Sequence, residues 1–376
     1  MANTLTNLIP DAYAALDVVS RELTGFIPGV TRDASTDRVA ANQSVRVHQT
    51  RANSAGADIT PAMAIPSAAD QTIDNTPITI TNFRKFPFSW SGEEQYAVDQ
   101  GPGILNVKQD QIAQALRAAV NEIENGLADA AALGSSRATG TAGTTPFAST
   151  LGDSAQARKI LDDNGAPMSE RSLVINTSAG AALRTLGQLT KANEAGNTMT
   201  LRDGELLNLH GFSVRESAQV NNATAGTGAS YILDGALAVG ATTIEVDTGS
   251  GTILAGDVVT IGSNKYVVAT ALSGGSFTIN APGLVAAAAD NATVTVNATS
   301  ARNIAFSKDA ILLATRLPIV PPEGDLAIDS EVITDPRSGL SFEIRVYPGY
   351  GMNLYEVRVA WGVKVLKPAH MGVLLG

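Results

Sequence analysis

The chain is predicted to be an α+β protein whose mixed core is interrupted by a small β-barrel or sandwich. Three observations predict this. One long segment, about 104–133, repeats apolar residues at helical spacing. Residues 221–300 change to short β-branched runs separated by Gly and Asn clusters. Two alternating runs, 341–347 and 355–366, close the sequence as strands.

Residues 4–24 read as an amphipathic helix, with Leu5, Leu8, Ile9, Ala12, Leu16, Val19 and Leu23 at helical spacing. Gly25, Pro28 and Gly29 end it. Val45 and Val47 alternate with Ser44, Arg46 and His48, which predicts a short strand. Residues 50–76 are small, polar and broken by Pro61 and Pro66. Such a stretch has little core of its own and is either disordered or a long hairpin that finds order on a neighbour. The run PITITNFRKFPFSW (77–90) returns as strand, with Phe86, Phe88 and Trp90 on alternate positions. Ser91 and Glu94 have the spacing of a capping box that opens a short helix. Gly101-Pro102-Gly103 breaks that helix.

The long helix follows. Ile112, Leu116, Ala119, Val120, Ile123, Leu127, Ala130 and Ala131 form one stripe, and Asp110, Arg117, Glu122, Glu124 and Asp129 lie largely off it. Some thirty residues give a rod of roughly 45 Å. Residues 134–153 are rich in Gly, Ser and Thr and read as a loop. A helix over 154–164 precedes the strand SLVIN (172–176). Thr177 or Ser178 is placed to cap the next helix, which carries Leu183 and Leu186. Residues 204–217 read as turn, strand, turn, strand. Within 221–300, the runs TTIEV, GDVVTIG, KYVVATAL, SFTI and ATVTV are five strands of the inserted module. In the last strand Val357, Val359, Trp361, Val363 and Val365 share one face, and Glu356, Arg358 and Lys364 share the other.

Composition excludes several functions. There is no Cys, so disulfides, thiolate metal sites and Cys nucleophiles are ruled out. Net charge is −10 and the basic residues are scattered singly, which argues against gripping nucleic acid through its phosphates. No stretch has the length of a membrane span, and the N-terminal residues lack the pattern of a secretory signal. His48, His210 and His370 are far apart, without metal-ligand spacing. The pairs Glu93-Glu94 and Asp162-Asp163 are adjacent, so on a helix they do not face each other as a catalytic dyad would. The Gly-rich runs 140–146 and 226–230 lack the Gly-Lys-Ser/Thr of a phosphate loop. No cofactor, metal or catalytic residue is predicted. A chain of 376 residues with extended arms and no site chemistry reads as a protein that contacts copies of itself, not an enzyme. The alternative is a surface or secreted β-rich ligand-binding protein; a carboxylate hydrolase is a third, weaker reading.

The order of these pieces resembles a known family. The run TPITITNFRKFPFSW, the helix NVKQDQIAQALRAAVNEIENGLADAAALG and the segment LVINTSAGAALRTLGQL carry the likeness. So do LLNLHGFSVRES, NIAFSKDAILLATRLP, TDPRSGLSFEIRVYPGY and VRVAWGVKVLKPAHMGVLL. Together they are similar to tailed-bacteriophage major capsid (coat) proteins of the Hong Kong 97 fold, closest to podophage coat proteins with an inserted β domain. The resemblance implies an N-terminal arm (1–44), an extended loop hairpin (45–91) and a peripheral domain with a spine helix (92–164). It implies an axial domain (165–220, continued at 301–340), an inserted β domain (221–300) and peripheral-domain strands (341–376). The loop would lie across the neighbouring subunit, with Arg51, Asp58, Met63, Ile65, Asp70, Ile73, Phe83, Arg84 and Lys85 as the implied contacts. The implied protein is a homo-oligomer of hexamers and pentamers, assembled in the bacterial host cytoplasm and resident in the virion. Its implied partners are itself, a scaffolding protein and a portal. DNA would be enclosed, not specifically bound, and no membrane is involved.

Overall fold

The computed structural model describes residues 24–49, 58–61, 63, 74–99, 104–190, 208–334 and 339–376. The predicted helix 4–24 and most of the loop 50–76 lie outside these residues, as does the break at 101–103. In chain order the first strands are β1 (Thr31–Val39), β2 (Ser44–Gln49), β3 (Asp74–Thr79) and β4 (Asn82–Ser91). Helices α1 (Gly92–Asp99) and α2 (Ile104–Gly134) follow, then β5 (Arg137–Gly140), α3 (Gly152–Asp163), β6 (Arg171–Ile175) and α4 (Thr177–Thr185). Next come β7 (Asn208–Leu209), β8 (Phe212–Glu216), β9 (Asn222–Ala223), β10 (Tyr231–Leu233), β11 (Thr243–Asp247) and β12 (Val258–Ile261). Then β13 (Asn264–Ser273), β14 (Ser276–Ile279), β15 (Thr293–Val296), β16 (Ser300–Ser307) and β17 (Ile311–Pro318). Last are β18 (Asp329–Thr334), β19 (Ser341–Pro348), β20 (Met352–Val365) and β21 (Met371–Leu375). Strands dominate the described residues.

The 31-residue α2 is the longest element. Its stripe is the one the periodicity predicts: Ile112, Leu116, Ala119, Ile123, Leu127 and Ala131 are fully buried. They pack on β20 through Val357, Val359 and Trp361, and on β16 and β21 through Ile304, Phe306, Met371 and Val373. Gly126 lies under the Trp361 ring and Gly134 under Val365, so closely that a Cβ would overlap either side chain. Two glycines in a helix cost stability; here they let the helix approach β20.

One six-stranded sheet is centred on β20. Strand β20 pairs with β19 over Asn353–Arg358, with β17 over Ala360–Val365 and with β4 over Met352–Trp361. Strand β1 runs parallel to β17. A second sheet has the order β7-β8-β6-β16-β21-β5. Strands β16 and β21 are buried along their whole length because both faces are covered. Ile304 and Val373 face α2, while Ala305 and Leu374 belong to the core made with α3 and α4. Burial on both faces removes alternation from such strands, and the ending MGVLL gave no strand signal for that reason.

Strands β10–β15 form a closed ring of antiparallel pairs: β12-β15-β10-β11-β14-β13 and back to β12. The ring is a barrel of six strands, of which Tyr231–Leu233 is the one the sequence pattern did not predict. Its interior is its own core, with Leu233, Ile244, Val259, Tyr266, Val268 and Phe277 inside. Alternation is clear in β11, where Ile244 and Val246 point in and Thr243, Glu245 and Asp247 point out. The barrel is joined to the second sheet by β13, which pairs Lys265 with Ala138 and Tyr266 with Arg137 on β5.

Several expectations are corrected. The predicted loop 134–153 contains β5, which runs parallel to β21; its small polar residues hide a strand that is held by its partners. The single strand 77–90 is two. Strand β3 pairs with β2 in a separate ribbon, and β4 turns to pair with β20. The cap of α4 is Asn176, one residue earlier than expected, whose side chain accepts from the Ala179 N–H at 2.9 Å. The polar face of β20 is not open, since Glu356 is buried there. Helix α1 is as read: Ser91 and Glu94 exchange reciprocal bonds of 3.2 and 2.9 Å.

Candidate interaction surface

Four features stand out among the described residues: the β2–β3 ribbon, a charged ladder on the six-stranded sheet, an anchor that holds the segment before β1, and exposed apolar side chains at one end of that sheet.

The ribbon pairs Ser44 with Thr79 through to Gln49 with Asp74. It is the paired base of the segment whose intervening residues include the exposed Ile59 and Met63. Ile78 and Ile80 at its base are fully buried against β17 and β20, in two small clusters with Leu312, Ala314, Val39 and Ala360.

Of the contact residues implied by resemblance, Asp58 and Met63 are exposed. Arg51, Ile65, Asp70 and Ile73 lie outside the described residues. The other three sit together on β4 and have partners within the chain. Phe83 packs on Val39, Ile80 and Ala360. Arg84 pairs with Glu122 of α2 at 2.5 Å, and Lys85 pairs with Glu356 at 3.1 Å. A one-dimensional reading could not show that these two cations meet carboxylates some 40 and 270 residues away.

Lys85 is the end of a ladder that crosses the sheet. Register sets Lys85 opposite Arg358, Arg358 opposite Glu343, and Glu356 opposite Arg345. Glu356 accepts from Lys85 and from Arg358 at 2.9 Å. Glu343 forms an ion pair with Arg345 at 3.1 Å and accepts a hydrogen bond from Arg38 of β1 at 2.6 Å. Asp325, in the connection 319–328, reaches over the same face. It accepts from the Tyr347 hydroxyl at 2.7 Å and pairs with Arg345 and Arg358. Burial pushes the Asp325 carboxyl up, but the Tyr347 hydrogen bond and the Arg345 charge outweigh it and hold it below its ordinary value. Glu343 and Glu356 are buried, and buried carboxylates persist only when paired in this way.

The anchor is Glu124. It lies on the buried side of α2, not off the stripe as expected, and has no solvent exposure. Its carboxylate accepts the N–H groups of Gly25, Phe26 and Ile27 at 2.5, 2.7 and 3.0 Å. Phe26 then stacks on Phe306 at 5.9 Å between ring centroids. Gly25 itself is required by space, because a Cβ would overlap Val174. No sequence signal marks this bond, since a lone Glu in a helix reads as surface.

Exposed apolar side chains gather at one end of the six-stranded sheet. Tyr350 is in the β19–β20 turn, Met352 begins β20, and Leu326 and Ile328 are in the connection before β18. Ile328 is held there by its N–H bond to Val346, and the turn is tied to α1 by Gly92 N–H to Gly351. The reading of the sequence missed these residues; the paired Pro/Gly turns around them were the available signal.

Among the described residues no group of three potential metal ligands occurs, and no helix is long and apolar enough to cross a membrane. His210 shares a hydrogen bond with Ser154 at 2.8 Å, and burial together with Lys367 and Arg171 lowers the pKa of His370.

No family model matches this chain, and no curated protein matches it. Solved structures do. The capsid structure of the cyanophage P-SCSP1u aligns over 94% of this chain and 88% of its own, at TM-score 0.51 and 12% identity. The asymmetric unit of the bacteriophage PhiM1 mature capsid covers 94% and 87% at TM-score 0.49 and 12% identity. A structure of Mycobacterium phage Che8 covers 89% and 84% at TM-score 0.46 and 15% identity. The fold is therefore a phage capsid fold, an assignment that rests on the cyanophage structure.

Proposed function

We propose that the chain is a major capsid protein that self-assembles, as hexamers and pentamers, into an icosahedral shell enclosing phage double-stranded DNA. The observation that carries this reading is the near full-length likeness to the cyanophage capsid structure. In this reading residues 1–44 are an N-terminal arm and 45–91 an extended loop hairpin, supported by the β2–β3 ribbon. Helix α2 is the spine of a peripheral domain (92–164 and 341–376), of the Hong Kong 97 type. Residues 165–220 and 301–340 form the axial domain, and 221–300 is an inserted barrel, supported by its separate core. The protein acts by association and not by catalysis. Asp58, Met63 and the undescribed residues around them would lie on the neighbouring subunit, and Arg84 and Lys85 would position the base of the loop through their bonds to Glu122 and Glu356. A scaffolding protein and a portal are the expected partners, the virion the expected location, and the host cytoplasm the expected place of assembly.

The test is sedimentation with negative-stain microscopy of the purified chain. Rings or shells are expected. A protein that binds a soluble ligand through its barrel and stays monomeric would favour the ligand-binding alternative.

A further inference from the structure

A cavity of about 220 Å³ lies where α3, β5 and the β12–β13 turn meet. Three cations line it, each from a different element: Arg137 from β5, Lys159 from α3 and Lys265 from β13. Gln156, Thr139 and Asn264 add neutral polar groups. The placement follows from local structure. Gln156, Lys159 and Asp163 recur at helical spacing on α3, above the buried Ile160. The pairing of β13 with β5 sets Lys265 beside Ala138 and brings Arg137 to the same edge.

The charges are not balanced by protein. Arg137 spends one N–H on Asp163 at 3.3 Å, and its side chain is otherwise largely buried. Lys265 donates to the Gly140 carbonyl, a neutral partner. Lys159 makes no ion pair among the described residues. One carboxylate thus faces three cations, in a chain whose net charge is −10. Like charges converging on a half-enclosed space repel, unless an anion occupies it. Arg137, Lys159 and Lys265 reach this one cavity from three elements, which suits a compact oxyanion, and the N–H donors that Arg137 and Lys159 do not spend within the chain are available to it. A water occupies about 30 Å³, so the cavity holds such an ion with part of its hydration shell.

We infer that this cavity binds a free oxyanion of the phosphate class. The bound ion would join three elements, and β13 belongs to the barrel. It therefore acts as a clasp that fixes the barrel to the body of the subunit. This inference does not depend on the assembly reading.

The experiment is a titration of the full-length chain with inorganic phosphate, followed by phosphorus NMR and by the thermal midpoint. Sodium chloride at equal ionic strength is the control. Saturable broadening and a rising midpoint are expected with phosphate and not with chloride. Lys159 is exposed, so Lys159→Gln leaves the fold intact; it should weaken binding at least tenfold, whereas Lys364→Gln should not. Hydrogen exchange at 137–140 and 263–266 should slow in phosphate. Equal effects of phosphate and chloride would overturn the inference, as would unchanged binding in Lys159→Gln. A DNA duplex that competes as well as free phosphate at equal phosphate concentration would also overturn it, since a duplex cannot enter the cavity.

Discussion

Replacing Glu124 by Ala should detach residues 25–27 from the spine helix. The carboxylate satisfies three consecutive backbone N–H groups in a site closed to water. Hydrogen bonds to a charged acceptor contribute about 1.5–3 kcal/mol each, so three at the lower bound give a gross loss of roughly 4–5 kcal/mol. Removing the buried charge returns part of this, because Ala leaves three unpaired N–H groups, at about 1–3 kcal/mol each, and no uncompensated charge. We expect a loss of about 3 kcal/mol in urea unfolding of the soluble subunit, with fast hydrogen exchange at Gly25–Ile27. Glu124→Gln keeps one acceptor oxygen but turns an N–H₂ toward a donor, so it should fall between. The pH dependence has a definite sign. Burial pushes the Glu124 carboxyl up, and the N–H donors pull back only part of the rise, so it titrates above 4.5 in the folded chain. Its stabilising effect is complete below that ordinary value and declines as pH rises through the raised one. Glu124→Gln should remove that decline. A stability for Glu124→Ala within about 0.5 kcal/mol of the parent chain would refute the anchor.

Three further outcomes follow from the same contacts. Gly126→Ala should destabilise by about 1–3 kcal/mol and shift tryptophan fluorescence, because the methyl overlaps Trp361; overpacking outweighs the ~1 kcal/mol gain in helix propensity, and a more stable variant would contradict the packing of α2 on β20. The Arg302 guanidinium is buried without a hydrogen-bond partner among the described residues, and burial lowers its pKa with only Asp257 opposing. Arg302→Met should therefore be neutral or stabilising by about 1 kcal/mol in thermal melts, and a loss above ~2 kcal/mol would show an unseen partner. Asp325→Asn should free the connection 319–328 from Arg345 and Arg358 and make it the first site of limited proteolysis. The parent chain should loosen there only as pH falls through the lowered Asp325 pKa, below 3.8; equal cleavage of both proteins at neutral pH would count against the latch.

Where a segment has one buried face, the sequence displays its structure. The stripe of α2 and the alternation of β11 were both legible, and so was the shift to short strands that became the barrel. Segments governed by distant partners were not. Strand β5 is four residues, RATG, and exists because β21 and β13 flank it. Strand β21 has no alternation because α2 and the α3 layer cover both of its faces. Glu124 and Glu356 read as solvent-facing carboxylates by helical and strand spacing. The first is buried by a segment about 98 residues away and the second by an ion-pair ladder. The candidate contacts divide in the same way. Asp58 and Met63 are exposed, while Arg84 and Lys85 are tied within the chain.

The most direct measurement of the central claim is electron microscopy of the purified chain, paired with its sedimentation profile across concentration. A capsid subunit should give five- and six-membered rings, or closed shells, at particle masses far above the 38.7 kDa monomer. Introducing charge at the exposed end of the six-stranded sheet, as in Tyr350→Glu with Leu326→Glu, should abolish those particles and leave the monomer folded. A chain that sediments as a monomer at every concentration, with no ring or shell in the images, would contradict the account.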